Sequence, residues 1–325
     1  MTIVDARVWI LLQAWAMTKI SVAALALVGA LGLGSTGCIK KMILDGQIEG
    51  TRKASAAVDG FSDYEVAQTA AFSGVTQFEG MHYLAPENED ALFMLTKSWT
   101  SAGFAFIEDQ MEQAEDAEGE NGAQYQYHKA RALAAYDRAI HYGLELLDKR
   151  APGFQAAKKN DDTMKVWLKN FDDPEKDTEK LFWTGYAWIS RVNIIKDEPA
   201  AVADLFIGVA MLERAKELKH DYMYGSIHTV LGAYHARSPM AELEDGKKEI
   251  DAAIAVTGGK TLLPKLQLAA KYYCMKGEKE NYVKTLTEIV DAGDTFPLQR
   301  LTNAIAKRRA KRYLGKERMM RTCGF

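Results

Sequence analysis

Residues 203–237 contain two stretches of helical apolar periodicity that are separated by a short polar break. In the first stretch, Leu205, Val209 and Leu212 recur at the period of about 3.6 residues that marks an amphipathic α-helix. The break at 219–221 ends in an aspartate, a residue type that often caps helices, and the periodicity then resumes. Because a helical hairpin cannot bury its apolar face alone, this segment predicts further helices packed on both of its sides.

Helical periodicity continues through most of the remaining chain and is interrupted at turn-like sequences. Each of the seven prolines falls between two helical periods, where the missing backbone N–H does no harm. No stretch shows the alternation of apolar and polar residues that marks a half-buried β-strand. The sequence therefore predicts an all-α protein made of stacked helical hairpins, in which residues 60–325 form a single domain.

Composition narrows the classes of protein that the chain can belong to. Hydrophobic residues make up 48% of the chain and charged residues 26%, which is typical of a globular protein with a sizeable core. The formal net charge is −3. Non-specific nucleic-acid binding needs a strong surplus of basic side chains, so we expect no nucleic-acid partner.

The N-terminal residues have the pattern of an export signal. Lys19 precedes an apolar run over 20–33, and a Ser-Thr-Gly tripeptide then stands directly before Cys38. This order resembles the bacterial lipobox, whose cysteine is acylated and becomes the first residue of the mature protein. We therefore expect a signal peptide within residues 1–37, with Met17 as the start, and a lipid on Cys38. The alternative is a single transmembrane anchor, but the run is short and glycine-rich for a span of about 20 apolar residues.

The residues after the acylated cysteine indicate where the protein would be anchored. Ile39 follows Cys38 where an aspartate would mark retention in the inner membrane, so the lipobox resemblance implies the outer membrane. Several acyl chains on one cysteine give a stable anchor. We interpret residues 38–59 as a lipid-anchored tether that leads into the helical domain.

Two segments of opposite charge lie far apart in the sequence. Residues 108–122 contain seven carboxylates. We interpret them as a solvated helix end and loop, rather than as a cation-binding patch, because charge runs usually lie in water. Residues 297–316 are basic, and Leu298, Leu301 and Ile305 at helical spacing predict a packed helix with a charged outer face. Contact of that face with anionic lipid or an acidic partner is the alternative.

No motif for catalysis or metal binding is recognisable. The chain has no phosphate-binding glycine loop, no HExxH sequence and no nucleophile elbow. His228 and His235 stand two helical turns apart, about 10 Å along the axis, which is too far for one ion. We expect no catalytic residues, no metal and no cofactor.

Two cysteines remain once Cys38 is acylated. Export from the cytoplasm permits a disulfide between Cys274 and Cys323, which would tie the C-terminal tail to the last helical hairpin. Sequence alone leaves open whether their α-carbons come within bonding range.

The helical hairpins resemble tetratricopeptide repeats. Gly208, Leu212 and Ala215 stand where the second helix of such a repeat has small, large and small side chains, and Leu231-Gly232 resembles the first helix of a following repeat. Over most of its length after the lipobox, the chain further resembles the T components of tripartite ATP-independent periplasmic (TRAP) transporters. The stretches that carry this resemblance are FEGMHYLAPEN at 78–88, LFWTGYAW at 181–188, VADL at 202–205, the block from LERA at 212–215 to LGAYHA at 231–236, and NAIAKRRA at 303–310. Residues 238–246 depart from it, because a Pro and an Asp-Gly remain where the family has a proline followed by a Gly-Gly-Asp turn.

The resemblance implies a periplasm-facing lipoprotein that can assemble as a trimer and that contacts the solute-binding P component of the transporter. It also implies a pore through the helical body, which would pass a small hydrophobic or carboxylated ligand. The candidate ligand or pore-lining residues are Trp183, Tyr186, Tyr224, His228 and Tyr234. The alternative function is a generic outer-membrane tetratricopeptide adaptor in envelope or pilus assembly.

Overall fold

The computed structural model describes residues 39–237 and 242–325. These residues form α-helices, short 3₁₀ turns and π-helical turns, and they contain no β-strand, which confirms the predicted all-α class. The signal peptide within 1–37, its start at Met17, the acylated Cys38 and the turn at Pro239 lie outside the described residues and stay predictions.

The compact helical body comprises Arg52–Phe325, and the residues before it belong to a separate unit. Residues 39–55 are helical. The body thus begins inside the segment that we interpreted as a tether, so Arg52 and Asp59 belong to the folded unit. Among the described residues, no helix combines the length and the apolarity needed to cross a bilayer.

The longer helices of the body are numbered here in chain order. They are α1 (Tyr64–Leu84), α2 (Glu89–Ala102), α3 (Glu108–Glu118), α4 (Ala123–Arg150), α5 (Asp161–Leu168), α6 (Asp177–Ile194), α7 (Leu205–Leu218), α8 (Tyr222–His235), α9 (Leu243–Thr257), α10 (Leu263–Gln267), α11 (Lys279–Asp291), α12 (Arg300–Tyr313) and α13 (Lys316–Cys323). A π-helical turn over Gly103–Ile107 joins α2 to α3, and another over Leu268–Tyr273 follows α10.

Capping residues in the sequence set several of the helix starts. The side chain of Asp63 accepts hydrogen bonds from two backbone N–H groups in the first turn of α1, and Asn88 accepts one from Ala91 at the start of α2. Pro199 occupies the first turn of a short helix over Pro199–Ala203, where its missing N–H costs nothing. These residues fix the positions at which the three helices begin.

Close glycine contacts join the helices of the central segment in pairs. α7 packs mainly against α6, and α8 packs mainly against α9, so residues 203–237 have helical neighbours on both sides as predicted. A Cβ atom on Gly185 would lie 2.9 Å from the backbone oxygen of Gly208, and one on Gly232 would lie 3.0 Å from that of Gly246. Glycine at both crossings lets the paired backbones approach. That the pairs are tetratricopeptide repeats stays a prediction.

The acidic segment 108–122 is a solvated helix end and loop only over its last residues, 117–122, and its first part is not solvated as we expected. Residues 108–118 form α3, and the carboxylate of Asp109 is buried, with 2% of its side chain exposed. It accepts hydrogen bonds from Arg308 Nε at 2.7 Å and from Arg312 Nη1 at 2.6 Å. The basic segment likewise does not present all of its charge outward, because α12 turns its arginines toward α3. Leu298, expected on the packed face, is 60% exposed.

Two further carboxylates of α3 complete this α3–α12 ion cluster. Arg309, 4% exposed, lies 3.6 Å from Glu108 and 3.9 Å from Glu112, and it stacks over the ring of Phe104 at 4.4 Å. Burial raises the pKa of Glu108, and Arg309 and a hydrogen bond from Tyr136 oppose that rise only in part. Burial also acts to raise the pKa of Glu112, but the surrounding arginines outweigh it and lower the pKa to about 2. The cluster therefore holds α12 against α3 through a set of buried ion pairs.

A disulfide joins Cys274 to Cys323, with the Cα atoms 5.0 Å apart. It links the short helix Cys274–Lys276, which follows the second π-helical turn, to the end of α13. The bond that the sequence left open is thus formed, and it ties the C-terminal tail to the last hairpin. Tyr282 and Leu286 of α11 are buried in the hydrophobic core beside it.

Candidate functional site

A pocket of about 330 Å³ opens between residues 52–59, α2, α6 and the first turn of α8. Leu298 and Gln299, just before α12, also contribute to its lining. The volume lies at the lower end of the range for small-molecule sites, which span about 300–1,000 Å³. All of these residues belong to the same compact body.

Arg52 fixes one side of the pocket. Its guanidinium forms ion pairs with Asp90 and Glu179, and it lies over the ring of Phe93, 4.2 Å from the centroid. The pairs bring residues from before α1, from α2 and from α6 together. Because one guanidinium pairs with both acids, this group acts as a structural clamp, and its one positive and two negative charges leave a net negative charge beside the pocket.

Asp59 and Lys97 bring two further charges to the pocket. Burial raises the pKa of the Asp59 carboxyl, and the nearby Lys97 ammonium opposes that rise. Lys97 Nζ also lies 5.7 Å from the ring centroid of Trp183. Within the described residues neither side chain makes a hydrogen bond, and their charged atoms lie beyond the 4.0 Å limit of an ion pair. Both residues thus line the pocket with no hydrogen-bond or ion-pair partner among the described residues, and Lys97 has the ring of Trp183 as its neighbour.

Aromatic rings lie beside these charges, where Tyr222 and Tyr224 line the pocket and Trp183 and Phe182 contact Tyr222. Trp183 Nε1 donates a hydrogen bond to Tyr222 Oη at 3.2 Å, and the ring of Phe182 meets Tyr222 edge-on at 5.3 Å. Tyr224 packs edge-on against Phe296 at 4.9 Å. Burial raises the pKa of Tyr222 well above its ordinary value, so this hydroxyl stays protonated at any physiological pH. The wall is apolar with one fixed hydroxyl.

The first turn of α8 has an unusual backbone at the edge of the pocket. Met223 has φ 45° and Tyr224 has φ 59°, and Gly225 continues the left-handed run at φ 83°. We expected Asp221 to cap a regular helix that starts at Tyr222, but the Asp221 side chain makes no capping hydrogen bond. A left-handed conformation is costly for residues with a Cβ atom, and such strain is concentrated at ligand sites in many proteins.

The five residues chosen from the sequence occupy different environments. Trp183 is buried behind the pocket wall and Tyr224 lines the pocket. Tyr186 is not among the residues that line it; its ring lies 5.7 Å from that of Phe104, close to the α3–α12 ion cluster. His228 Nδ1 lies 2.5 Å from a carboxylate oxygen of Glu249 on α9. The ligand role of all these residues stays a prediction.

Tyr234, the fifth of these residues, lies near the C-terminal end of α8. Its ring stacks with the guanidinium of Arg237 at 4.4 Å and meets His235 edge-on. The structure thus places Tyr224 in the lining of the pocket and Trp183 behind that lining, and it leaves His228 and Tyr234 elsewhere on α8.

Sequence reasoning missed the charged side of the pocket. Arg52 and Asp59 stand in the expected tether, and Lys97 stands on the polar face of an ordinary amphipathic helix. Glu179 precedes the aromatic stretch that drew attention to α6. No local pattern connects these four residues, because they come from three separate parts of the chain. In the part of the chain that the structure describes, no group of three acidic, histidine or cysteine side chains is placed to hold a metal ion.

Comparison with known proteins gives two findings. The family model described as TRAP transporter T-component matches residues 61–320, which is most of the chain. An uncharacterised protein of Treponema pallidum (strain Nichols) is 24% identical over 164 residues, covering 50% of this chain and 49% of that protein. The alignment with this relative therefore spans about half of its length.

Proposed function

Because the chain belongs to the TRAP transporter T-component family, we propose that it is the accessory lipoprotein of such a transporter and that it hands a small ligand to the solute-binding P component. The family match over residues 61–320 is the observation that carries this proposal. The family is one of transporter components, so the proposal needs no catalytic mechanism. The body would act by binding the partner and by holding the ligand.

The pocket supports the ligand-holding part of the proposal. It combines an aromatic wall that includes Tyr222 and Tyr224 with charged groups at Asp59 and Lys97. Ligand sites in proteins typically join apolar walls to a few well-placed polar groups. We propose that this pocket holds the ligand on its way through the helical body.

The lipobox supports an anchored location for the protein. We propose that an acylated Cys38 holds it in the outer membrane with its body in the periplasm, and that the body assembles as a trimer. Replacing Cys38 by serine should release the protein from the membrane fraction and abolish incorporation of labelled palmitate. Ser35→Ala, which keeps a small residue before the cysteine, is the matched control and should stay in the membrane. Sedimentation of the detergent-extracted protein measures the trimer.

Co-purification tests the role in transport. The full-length protein, extracted in detergent from its own host after mild cross-linking, should retain a solute-binding P component that mass spectrometry identifies. A lipoprotein of another family with the same tag serves as the control. Recovery of envelope or pilus assembly proteins in place of a P component would overturn the proposal in favour of a general adaptor.

A further inference from the structure

Two opposite charges share the pocket without pairing with each other. Asp59 and Lys97 both line it, and their electrostatic interaction shows that they are near neighbours. Their charged atoms nevertheless lie beyond the 4.0 Å limit of an ion pair, and neither side chain has another hydrogen-bonding partner among the described residues. A gap thus separates an acceptor and a donor that would otherwise neutralise each other.

Arg52 is already engaged, because its guanidinium forms direct ion pairs with Asp90 and Glu179 and is not free to bind the carboxylate of a ligand. A charged group that loses water without gaining a partner is destabilised, so an unpaired carboxylate and an unpaired ammonium in a concave site come at a cost to the empty protein. A ligand that carries both complementary charges would offset this cost at both groups.

The other lining residues indicate which chemical group the ligand carries besides its two charges. Phe93 and Met94 of α2 are buried, with 5% and 3% exposure, and Tyr222 and Met223 of α8 also line the pocket. An apolar or aromatic group of the ligand would bury its surface against them. The volume of about 330 Å³ suits a single small molecule rather than a peptide.

We propose that this pocket binds a small zwitterion of the amino-acid class, with its carboxylate on Lys97, its ammonium on Asp59 and an apolar side group against Phe93 and Tyr222. Its role as transported cargo rests on the proposed function, whereas the binding itself does not. The structure thereby assigns the ligand chemistry to two side chains that stand 38 positions apart in the sequence.

Calorimetric titration of the detergent-extracted, full-length protein with three related probes tests the assignment. L-phenylalanine carries both charges, 3-phenylpropionate lacks the ammonium, and phenethylamine lacks the carboxylate. We expect L-phenylalanine to bind at least about tenfold more tightly than either analogue, because a hydrogen bond to a charged group is worth more than one decade in the binding constant. Equal affinity for the three probes, or no binding of L-phenylalanine at millimolar concentration, would overturn the proposal.

Two variants test which side chain binds which charged group of the ligand. Lys97→Met should weaken L-phenylalanine binding about tenfold or more and leave phenethylamine binding unchanged. Asp59→Asn should weaken L-phenylalanine binding similarly and leave 3-phenylpropionate binding unchanged. Lys158→Met and Asp291→Asn, which change exposed residues outside the pocket, are the matched controls and should bind L-phenylalanine like the wild type. The same loss in the controls, or a variant that weakens all three probes alike, would refute the assignment.

These results are separable from the test of the proposed function. A protein that recruits a P component but does not distinguish the three probes would refute the ligand class alone. A protein that binds L-phenylalanine through Asp59 and Lys97 but recruits no P component would refute the transport role alone.

Discussion

Replacing Asp109 by alanine removes the carboxylate on which α1, α3 and α12 converge. It accepts hydrogen bonds from Arg308 Nε at 2.7 Å and from Arg312 Nη1 at 2.6 Å. Tyr64 Oη donates from α1 at 3.2 Å, and Gln113 Nε2 donates from α3 itself at 2.6 Å. Because the side chain is only 2% exposed, water cannot take the place of these four contacts without rearrangement.

The size of the stability loss depends on which partners Arg308 and Arg312 keep when Asp109 is removed. Removing one partner of a buried ion pair costs roughly 3–5 kcal/mol, because it leaves an uncompensated charge. Arg308 is 38% exposed and has Glu65 at 3.8 Å, so water and that carboxylate still solvate it. Arg312 keeps its ion pair with Glu112 and lies 3.5 Å from Asp116. We therefore expect Asp109→Ala to lower the free energy of unfolding by about 3 kcal/mol.

Urea denaturation followed by far-ultraviolet circular dichroism measures this loss. With a slope of about 3 kcal/mol per molar, the midpoint should fall by about 1 M. Glu288→Ala, which removes an exposed carboxylate on α11, is the matched control and should change stability by no more than about 0.5 kcal/mol. A shift for Asp109→Ala no larger than that of Glu288→Ala would refute the view that the buried cluster holds α12 in place.

A double variant separates the loss of the ion pair from the loss of packing. If the cost arises from stranded charge, Arg312→Met should harm the Asp109→Ala background less than it harms the wild type. Strictly additive effects of the two substitutions would show that the pair is not coupled.

Three further predictions concern the rest of the fold. The disulfide between Cys274 and Cys323 closes a loop of 49 residues. Its reduction, or replacement of both cysteines by serine, should lower the free energy of unfolding by about 4 kcal/mol. An unchanged urea midpoint in the presence of reductant would contradict this. Gly185→Ala should lower the free energy of unfolding by about 1–3 kcal/mol, because its Cβ would lie 2.9 Å from a backbone oxygen. Gly74→Ala, where a Cβ would meet no atom within 4 Å, should raise it by about 0.5–1 kcal/mol. Melting temperatures in the reverse order would refute the close helix crossing at Gly185. Although burial opposes it, arginines lower the pKa of Glu112 from 4.5 to about 2, so its contribution is complete above pH 4.5 and is lost as the pH falls toward 2. Glu112→Gln should flatten the acid side of the stability profile in that window, and an equally steep profile would contradict the assignment.

Local features of the sequence determined the helices and the family. Asp63 and Asn88 cap the helices that follow them through hydrogen bonds to backbone N–H groups two or three positions away. The spacing of apolar residues and the placement of the prolines suffice for the all-α class, because helix formation depends on side chains three or four positions apart. The stretches that resemble TRAP transporter T components lie within the range that the family model matches.

Local sequence patterns do not predict contacts between side chains that are far apart in the sequence. Asp109 and Arg308 are 199 positions apart, and a sequence of acids by itself favours a solvated surface. The burial of these acids is decided only when α12 packs against α3 and supplies the opposite charge. The interpretation of the first part of the acidic segment, residues 108–116, was wrong for this reason.

The pocket depends in the same way on tertiary structure. Arg52 and Glu179 are 127 positions apart, and the chain brings them together with Asp59 and Lys97 only after α2 and α6 have packed. The left-handed turn at Met223 has no sequence signal either, because neither methionine nor tyrosine favours positive φ. Sequence thus determined the helices one by one, whereas the distribution of charge and strain around the pocket follows from which helices pack together, since electrostatic and packing energies depend on distance in space.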